Sequence, residues 1–180
     1  VLCGVTDRYV PDAENAAMVM MRSPVKGLFL PLSYINGGGM CLRWLRNELT
    51  GTPRADYQQL EAEAEKLPPG SEGLVFIPHF SGRVLPSNPH MKGGFLGLDF
   101  KHTRAHLYRA VMEGITYEYA YYLDVLRGLR PEEAWKEVLV VGGGAQSNLF
   151  NQIKADVLGV RSSTLMTGET ALIGSGAVAG

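Results

Sequence analysis

One run of residues, 138–148, constrains the fold more than any other part of the chain, because it joins an apolar strand that we expect to be buried, a glycine turn and a helix start. It reads Val138-Leu139-Val140-Val141-Gly142-Gly143-Gly144-Ala145-Gln146-Ser147-Asn148. Glycines at such a turn let a ligand approach the backbone without meeting a Cβ atom, and a helix start offers N–H groups without partners in the helix. The run therefore has two interpretations, a nucleotide-binding turn and a tight corner between strand and helix. It is neither a P-loop nor a dinucleotide-binding motif, since no Gly-Lys-Ser/Thr and no third spaced glycine follow.

A second glycine-led helix start lies at Asn36-Gly37-Gly38-Gly39-Met40 and is followed by Arg43 and Trp44. It repeats the local chemistry of the first and adds an arginine that can pair with a phosphate or cover an adenine ring. Two such turns favour a nucleotide cleft. Taken alone, Arg43 is better interpreted as a surface salt-bridge residue and Trp44 as a core residue.

The hydrophobic periodicity predicts an α/β domain with some parallel strand pairing, because strands alternate with helices in its second half. We expect strands at 17–21, 28–32, 74–77 and 138–141, and helices at 40–50, 56–67, 103–128, 147–158 and from 170 onward. Thr103 is the expected N-cap of the long helix, and Pro131 predicts the start of a further short helix. The long loop at 78–94 is expected to be functional, as loops of this length tend to be.

Composition and charge argue against several classes of partner. The formal net charge is −1 and the sequence holds no lysine or arginine cluster, so it lacks the electrostatic footprint expected for binding nucleic acid or an anionic membrane. No apolar run approaches the length of a membrane span. Cys3 and Cys41 have no metal-ligand spacing and predict no disulfide, which indicates a reducing cytoplasm. Both ends of the chain read like cuts, so we expect a fragment of a longer protein.

Other catalytic patterns find little support in the residues. His102 and His106 are four apart, but no glutamate follows the first and no third ligand is evident, so capping and packing roles are expected. No serine lies in a Gly-x-Ser-x-Gly turn. Asp7, Asp12 and Asp99 lie among turn residues, where aspartate is ordinary local chemistry. We therefore assign neither a catalytic residue nor a metal ligand.

Several segments together resemble the FGGY family of carbohydrate kinases, and the resemblance covers nearly the whole chain. The most specific segment reads Gly93-Gly94-Phe95-Leu96-Gly97-Leu98, continues through 99–105, and ends in His106-Leu107-Tyr108-Arg109-Ala110-Val111-Met112-Glu113, like the second signature of that family. Residues 77–86 resemble the loop before that signature, residues 142–156 the adenine-binding turn and helix, and residues 169–179 the closing small-residue helix.

The resemblance implies an α/β fold of the ribonuclease-H-like, actin-type ATPase class, with a mixed sheet flanked by helices. Residues 1–180 would be the C-terminal nucleotide-binding domain, and the N-terminal sugar-binding domain of the same kinase would be its partner. By position, the implied nucleotide-binding residues are Gly39, Arg43, Gly143, Gly144, Ala145 and Asn148, with Gly144 and Asn148 on the adenosine. Gln146, Ser147 and Gln152 are secondary candidates near the same pocket.

The reaction implied is transfer of the ATP γ-phosphoryl group to a sugar hydroxyl, with Mg²⁺ neutralising charge and a carboxylate accepting the hydroxyl proton. In the family that carboxylate belongs to a Gly-Asp motif upstream of a Gly-Thr-Ser phosphate turn, and this chain contains neither. We therefore expect the catalytic base on another segment, and we expect the fragment alone to be inactive.

The implied acceptor is a ketopentose such as D-xylulose, although Ser81-Gly82-Arg83 lacks the glutamate usual in xylulokinase-like relatives. Gluconate, ribulose, glycerol or another polyol are the alternatives. A non-catalytic actin-like nucleotide-binding module is the hypothesis from a different class. A homodimer through the tyrosine-rich long helix and a cytoplasmic location are further expectations.

Overall fold

The computed structural model describes residues 1–49, 56–165 and 170–179. Within these ranges the strands are β1 (Leu2–Cys3), β2 (Val19–Arg22), β3 (Phe29–Ser33), β4 (Val75–Ile77), β5 (Gly94–Leu96), β6 (Glu137–Val140) and β7 (Arg161–Thr164). The α-helices are α1 (Gly38–Trp44), α2 (Tyr57–Glu65), α3 (Arg104–Leu129), α4 (Asn148–Leu158) and α5 (Thr170–Ala179). A π-helical turn follows α1 at Leu45–Leu49, and 3-10 turns lie at Ser71–Gly73 and Gly143–Gln146. The predicted end of the first helix, at residues 50 and 51, lies outside the described residues.

The chain divides into two compact units. The first unit holds Val1–Ser33 and Tyr122–Gly180, and the second holds Tyr34–Tyr121. Helix α3 contributes residues to both units.

In the first unit, β1, β3 and β2 form an antiparallel sheet in that order, with Leu2 opposite Ser33 and Val19 opposite Leu32. Strands β6 and β7 pair in parallel, as predicted, from Glu137 opposite Arg161 onward. Because parallel strands need a crossover connection, the glycine turn and α4 join them as a strand-helix-strand unit.

The prediction of a short helix that begins at Pro131 is wrong. Residues 131–133 form a turn and 134–136 are irregular chain that leads into β6. The buried guanidinium group of Arg130 explains the difference, since it donates to Glu132 at 2.8 Å and to Glu133 at 2.7 Å. These contacts draw the acidic side chains back onto the residue before the proline.

The predicted burial of residues 138–141 is also only partly right, because Val140 is buried whereas Leu139 is 53% exposed.

In the second unit, β4 and β5 form an antiparallel pair with Val75 opposite Leu96. Helix α3 packs against β4 so closely that a Cβ atom at Gly114 would lie 2.2 Å from the carbonyl oxygen of Phe76. The helix buries an apolar stripe here that includes Val111, Met112 and Ile115. The 3.6-residue period that predicted α3 therefore reflects a core-facing surface.

Local side-chain contacts define the helix starts in the second unit. Asp56 caps α2 by accepting a hydrogen bond from the N–H of Gln58 at 3.0 Å. Thr103 immediately precedes α3, as predicted, and its backbone N–H donates to Nδ1 of His106 at 3.1 Å.

Trp44 was expected in the core, but it is 37% exposed and contacts Phe80 edge-on at a ring-centroid distance of 4.7 Å. It is the last residue of the short helix α1, and its contacts leave more than a third of the residue exposed.

Candidate functional site

The turn between β6 and α4 has a backbone shape that requires glycine at its first position. Gly142 has φ 79° and ψ −168°, a combination that side-chain-bearing residues rarely adopt. The chain then forms the 3-10 turn Gly143–Gln146, in which the N–H of Ala145 donates to the carbonyl of Gly142 at 3.0 Å. The first N–H groups of any helical turn have no partner within it. The glycine turn, residues 142–146, therefore presents backbone donors at the end of a strand.

Gly143 lies in open space within the first unit. Unlike Gly142, it does not have a left-handed φ, and a Cβ atom built on it would meet no described atom within 4 Å. The folded chain therefore gives no steric or conformational reason for glycine at this position. An exposed backbone with no side chain is the arrangement that close approach of a ligand requires.

Helix α4 begins directly after the turn and adds a polar side chain. Ser147 caps it by accepting a hydrogen bond from the N–H of Phe150 at 3.0 Å. Asn148 is the first helical residue, is exposed, and makes no side-chain hydrogen bond to the part of the chain that the structure describes. Its amide can both donate and accept, and it lies at the positive end of the helix dipole. Both features suit recognition of a polar or anionic ligand.

Two side chains of α4 hold the turn from the helix side. Nζ of Lys154 donates to the carbonyl of Gly144 at 3.3 Å, and Nδ2 of Asn151 donates to the carbonyl of Ala145 at 2.8 Å. Lys154 is buried, and burial lowers the pKa of its ammonium group to about 8. The sequence reasoning missed this residue. A signal was available, because Lys154 falls on the apolar face of α4 beside Phe150 and Ile153.

The structure places Gly143, Gly144, Ala145 and Asn148 together in the first unit, whereas Gly39 and Arg43 lie on α1 in the second. Gly37 precedes α1 with φ 81°, and its carbonyl accepts from the N–H of Cys41 at 3.1 Å. Gly39 is exposed, and a Cβ atom on it would meet nothing within 4 Å. Arg43 is exposed and makes no ion pair with the described residues of its own unit. That these two residues line the nucleotide site stays a prediction.

The histidines and aspartates considered from the sequence have local structural roles. Nδ1 of His102 accepts from the N–H of Asp99 at 2.9 Å. His106 caps α3 as described, in line with the expected capping role, whereas His102 holds the preceding loop and its ring contacts that of His106 at a centroid distance of 5.2 Å. Asp12 accepts hydrogen bonds from the N–H groups of Asn15 and Ala17, which hold its pKa below the usual value against the effect of burial. Asp7 pairs with Arg130 at 3.3 Å.

Three broader observations limit the kinds of site that the described residues form. No group of three or more His, Cys, Asp or Glu side chains among them could hold a metal ion. Cys3 and Cys41 are free thiols. In the described ranges, every helix is too short or too polar to cross a lipid bilayer.

The long loop at 78–94 is tied to α3 by a half-buried polar cluster within the second unit. Nε2 of His79 lies 3.0 Å from Oε1 of Glu118, and Nη2 of Arg83 donates to Oε2 of the same carboxylate at 3.1 Å. The Arg83 guanidinium carbon also lies 5.1 Å from the Tyr121 ring centroid. A single carboxylate of α3 therefore holds two points of the loop and limits its freedom.

Solved structures define the class of fold to which this arrangement belongs. The chain is similar to a xylulose kinase from Rhodospirillum rubrum, with a TM-score of 0.74 and 27% identity over 96% of this chain and 36% of that one. It also superposes on a glycerol kinase from Plasmodium falciparum solved with ADP, with a TM-score of 0.79 and 20% identity over 96% and 34% of the two chains. The second likeness shows the fold alone. The fold is of the actin-like, ribonuclease-H-like ATPase class, as predicted.

The sequence match is more specific than the fold. Residues 6–180 match the C-terminal domain of the FGGY family of carbohydrate kinases, and the chain therefore belongs to that family. A gluconokinase from Bacillus licheniformis is 32% identical over 133 residues, which cover 68% of this chain and 26% of that protein. The chain thus spans about a quarter of the length of the curated relatives that it matches.

Proposed function

We propose that this chain is the nucleotide-binding, C-terminal part of a kinase that transfers the γ-phosphoryl group of ATP to a sugar hydroxyl. The observation that carries the proposal is the open position at Gly143. The fold does not require glycine there, whereas the close approach of a ligand to the backbone does. Membership of a carbohydrate kinase family supports the same activity. The glycerol kinase from Plasmodium falciparum was solved with ADP, which supports a nucleotide as the ligand.

Each residue of the turn has a proposed part in binding. Gly143 and Gly144 let the adenosine approach the backbone, and Ala145 continues the same 3-10 turn. Asn148 donates to or accepts from the adenosine with its exposed amide. Gly39 and Arg43 are proposed as further nucleotide-binding residues, with Arg43 supplying positive charge for a phosphate.

Mg²⁺ is proposed to arrive with the nucleotide. Mg²⁺ in kinases is bound largely by substrate phosphates and one or two carboxylates, and the described residues offer no ligand cluster of their own. The carboxylate that accepts the sugar hydroxyl proton is proposed to lie in the N-terminal domain of the same kinase. The described residues of this chain would then bind and orient ATP without taking part in proton transfer.

The proposed acceptor is a ketopentose such as D-xylulose. The xylulose kinase from Rhodospirillum rubrum, at 27% identity over nearly the whole chain, favours it. Gluconate is the second candidate, because a gluconokinase reaches 32% identity over a shorter stretch. The non-catalytic alternative, an actin-like module that binds nucleotide without transferring phosphate, lacks such support from these relatives.

Isothermal titration of the full-length protein with ADP tests the proposal. The wild type should bind ADP, and Asn148→Ala should weaken binding about tenfold through loss of one hydrogen-bonding side chain. Gln58→Ala is a matched control, since Gln58 is also an exposed amide in the first turn of a helix. Absence of ADP binding by the wild type at millimolar nucleotide would contradict the proposed function, as would equal affinities of the wild type and Asn148→Ala.

A further inference from the structure

Lys154 is a buried cation that the proposed nucleotide contacts do not use. Its residue is 5% exposed and lies on the apolar face of α4. Removing an ammonium group from water is unfavourable unless it gains partners, and leucine or methionine would fill the position without that penalty. The other charged side chain of α4, Asp156, is exposed and accepts a hydrogen bond from Gln152 at 2.7 Å. A carboxylate partner on α4 therefore does not explain why this buried position holds a lysine.

The partners of Lys154 are instead parts of the glycine turn and of the helix below it. Its Nζ atom donates to the carbonyl of Gly144 at 3.3 Å and to Oδ1 of Asn151 at 3.2 Å, and it lies 3.8 Å from the Phe150 ring centroid. Asn151, oriented by this contact, donates its amide to the carbonyl of Ala145 at 2.8 Å. The lysine and the asparagine thus form one hydrogen-bonded unit that holds two consecutive carbonyl groups.

Holding these carbonyls restricts the second half of the turn directly. Each peptide unit is planar, so hydrogen bonds to the carbonyls of Gly144 and Ala145 fix the orientation of the N–H groups of Ala145 and Gln146. The N–H of Ala145 in turn donates to the carbonyl of Gly142 at 3.0 Å, which links the start of the turn to the held part. Gly142 and Gly143 have no side chains to pack, and glycine loses more backbone freedom on ordering than any other residue. A turn that is already fixed spares a ligand the free energy of ordering it.

We propose that Lys154 is a positioning residue for nucleotide binding, which preorganises the backbone of the glycine turn through Gly144 and, by way of Asn151, through Ala145. The inference rests on the proposed function of the turn, and it adds a residue that touches the turn without touching the nucleotide. The ligand class is an adenosine di- or triphosphate, which would bind to a backbone already set by α4.

The test uses the full-length protein, ADP titrations and thermal unfolding without ligand. Lys154→Met keeps the shape of the side chain without a donor and should weaken ADP binding about tenfold, whereas Lys154→Gln, which keeps an N–H donor, should recover part of that loss. The midpoint of thermal unfolding should not fall in Lys154→Met, because the substitution also removes the unfavourable burial of a charged group. Lys136→Met, at an exposed lysine of the same unit, should change neither quantity.

The outcomes separate this inference from the proposed function. If the wild type and Lys154→Met bind ADP equally, the inference is overturned and the proposed function stands. It is also overturned if Lys154→Met weakens binding only together with a lower unfolding midpoint and no recovery in Lys154→Gln, since that pattern marks a structural role. If Lys154→Met does not fold, Asn151→Ala takes its place, and unchanged ADP affinity in that variant overturns the inference. A wild type that binds no ADP overturns both.

Discussion

Gly142 and Gly143 are adjacent in the glycine turn, and a Cβ atom on either would meet no described atom within 4 Å, but only Gly142 has a positive φ. Gly142 has φ 79°, so Gly142→Ala should lower the free energy of unfolding by about 1–2 kcal/mol through backbone strain. Gly143→Ala should leave stability within about 0.5 kcal/mol of the wild type, because the space around it is open. If the proposed function is right, Gly143→Ala should nevertheless weaken ADP binding at least about tenfold.

Denaturant unfolding and ADP titration of the two variants check this prediction together. Normal ADP affinity in Gly143→Ala would show that the nucleotide does not approach this backbone. A large loss of stability in the same variant would show that the open space around Gly143 is filled in the protein in solution.

Individual site residues could be predicted from sequence only where a local pattern carries the information. The glycines and Asn148 stand in a strand-turn-helix run, so their positions at the turn could be predicted. The position of Lys154 on the apolar face of α4 could be predicted, but its role could not, because that role depends on which carbonyls of the turn lie within reach of Nζ. Trp44 was misplaced for a related reason, since its exposure depends on what packs beside the short helix α1.

At the scale of elements, the contact between α3 and β4 depends on one glycine. Gly114→Ala should lower the free energy of unfolding by roughly 2–4 kcal/mol, because the new Cβ atom would overlap the Phe76 carbonyl and force the helix away from the strand. Gly128→Ala in the same helix should be neutral or stabilising by up to about 1 kcal/mol, since no described atom lies within 4 Å and alanine favours the helix. Urea unfolding of both variants gives the comparison, and equal effects would contradict the close packing at Gly114.

The helices were easier to predict than the remaining elements. Helices α3 and α4 follow the predicted ranges because each carries its own apolar period or capping residue, and α5 also lies in its predicted range. The turn at Pro131 could not be foreseen, since it depends on the burial of Arg130 beside Thr6 and Asp7, which are far away in sequence. No local sequence pattern predicted the π-helical turn after α1 either. The four predicted strands were right to within two residues, whereas β1, β5 and β7 are additional, and the exposure of every strand depends on the tertiary structure.

At the scale of the whole molecule, the proposal divides the work of a kinase between this chain and the rest of the protein. The chain covers from about a quarter to about a third of the length of the relatives named above, and the names of those relatives differ in the substrate while the region is shared. We therefore propose that the described residues set the affinity for ATP and that sugar preference is set mostly elsewhere. This separation makes a kinetic prediction about the full-length enzyme.

Steady-state kinetics with D-xylulose, gluconate, ribulose and glycerol as acceptors tests that separation. Asn148→Ala should raise the KM for ATP about tenfold and leave both the order of preference among acceptors and the KM for the preferred sugar unchanged within about twofold, because only nucleotide binding loses a contact. Gln58→Ala, the exposed amide on α2, serves again as the control and should match the wild type in every constant. A changed order of acceptors in Asn148→Ala would mean that this turn contributes to sugar choice, and a wild type that phosphorylates none of the panel would favour the non-catalytic alternative.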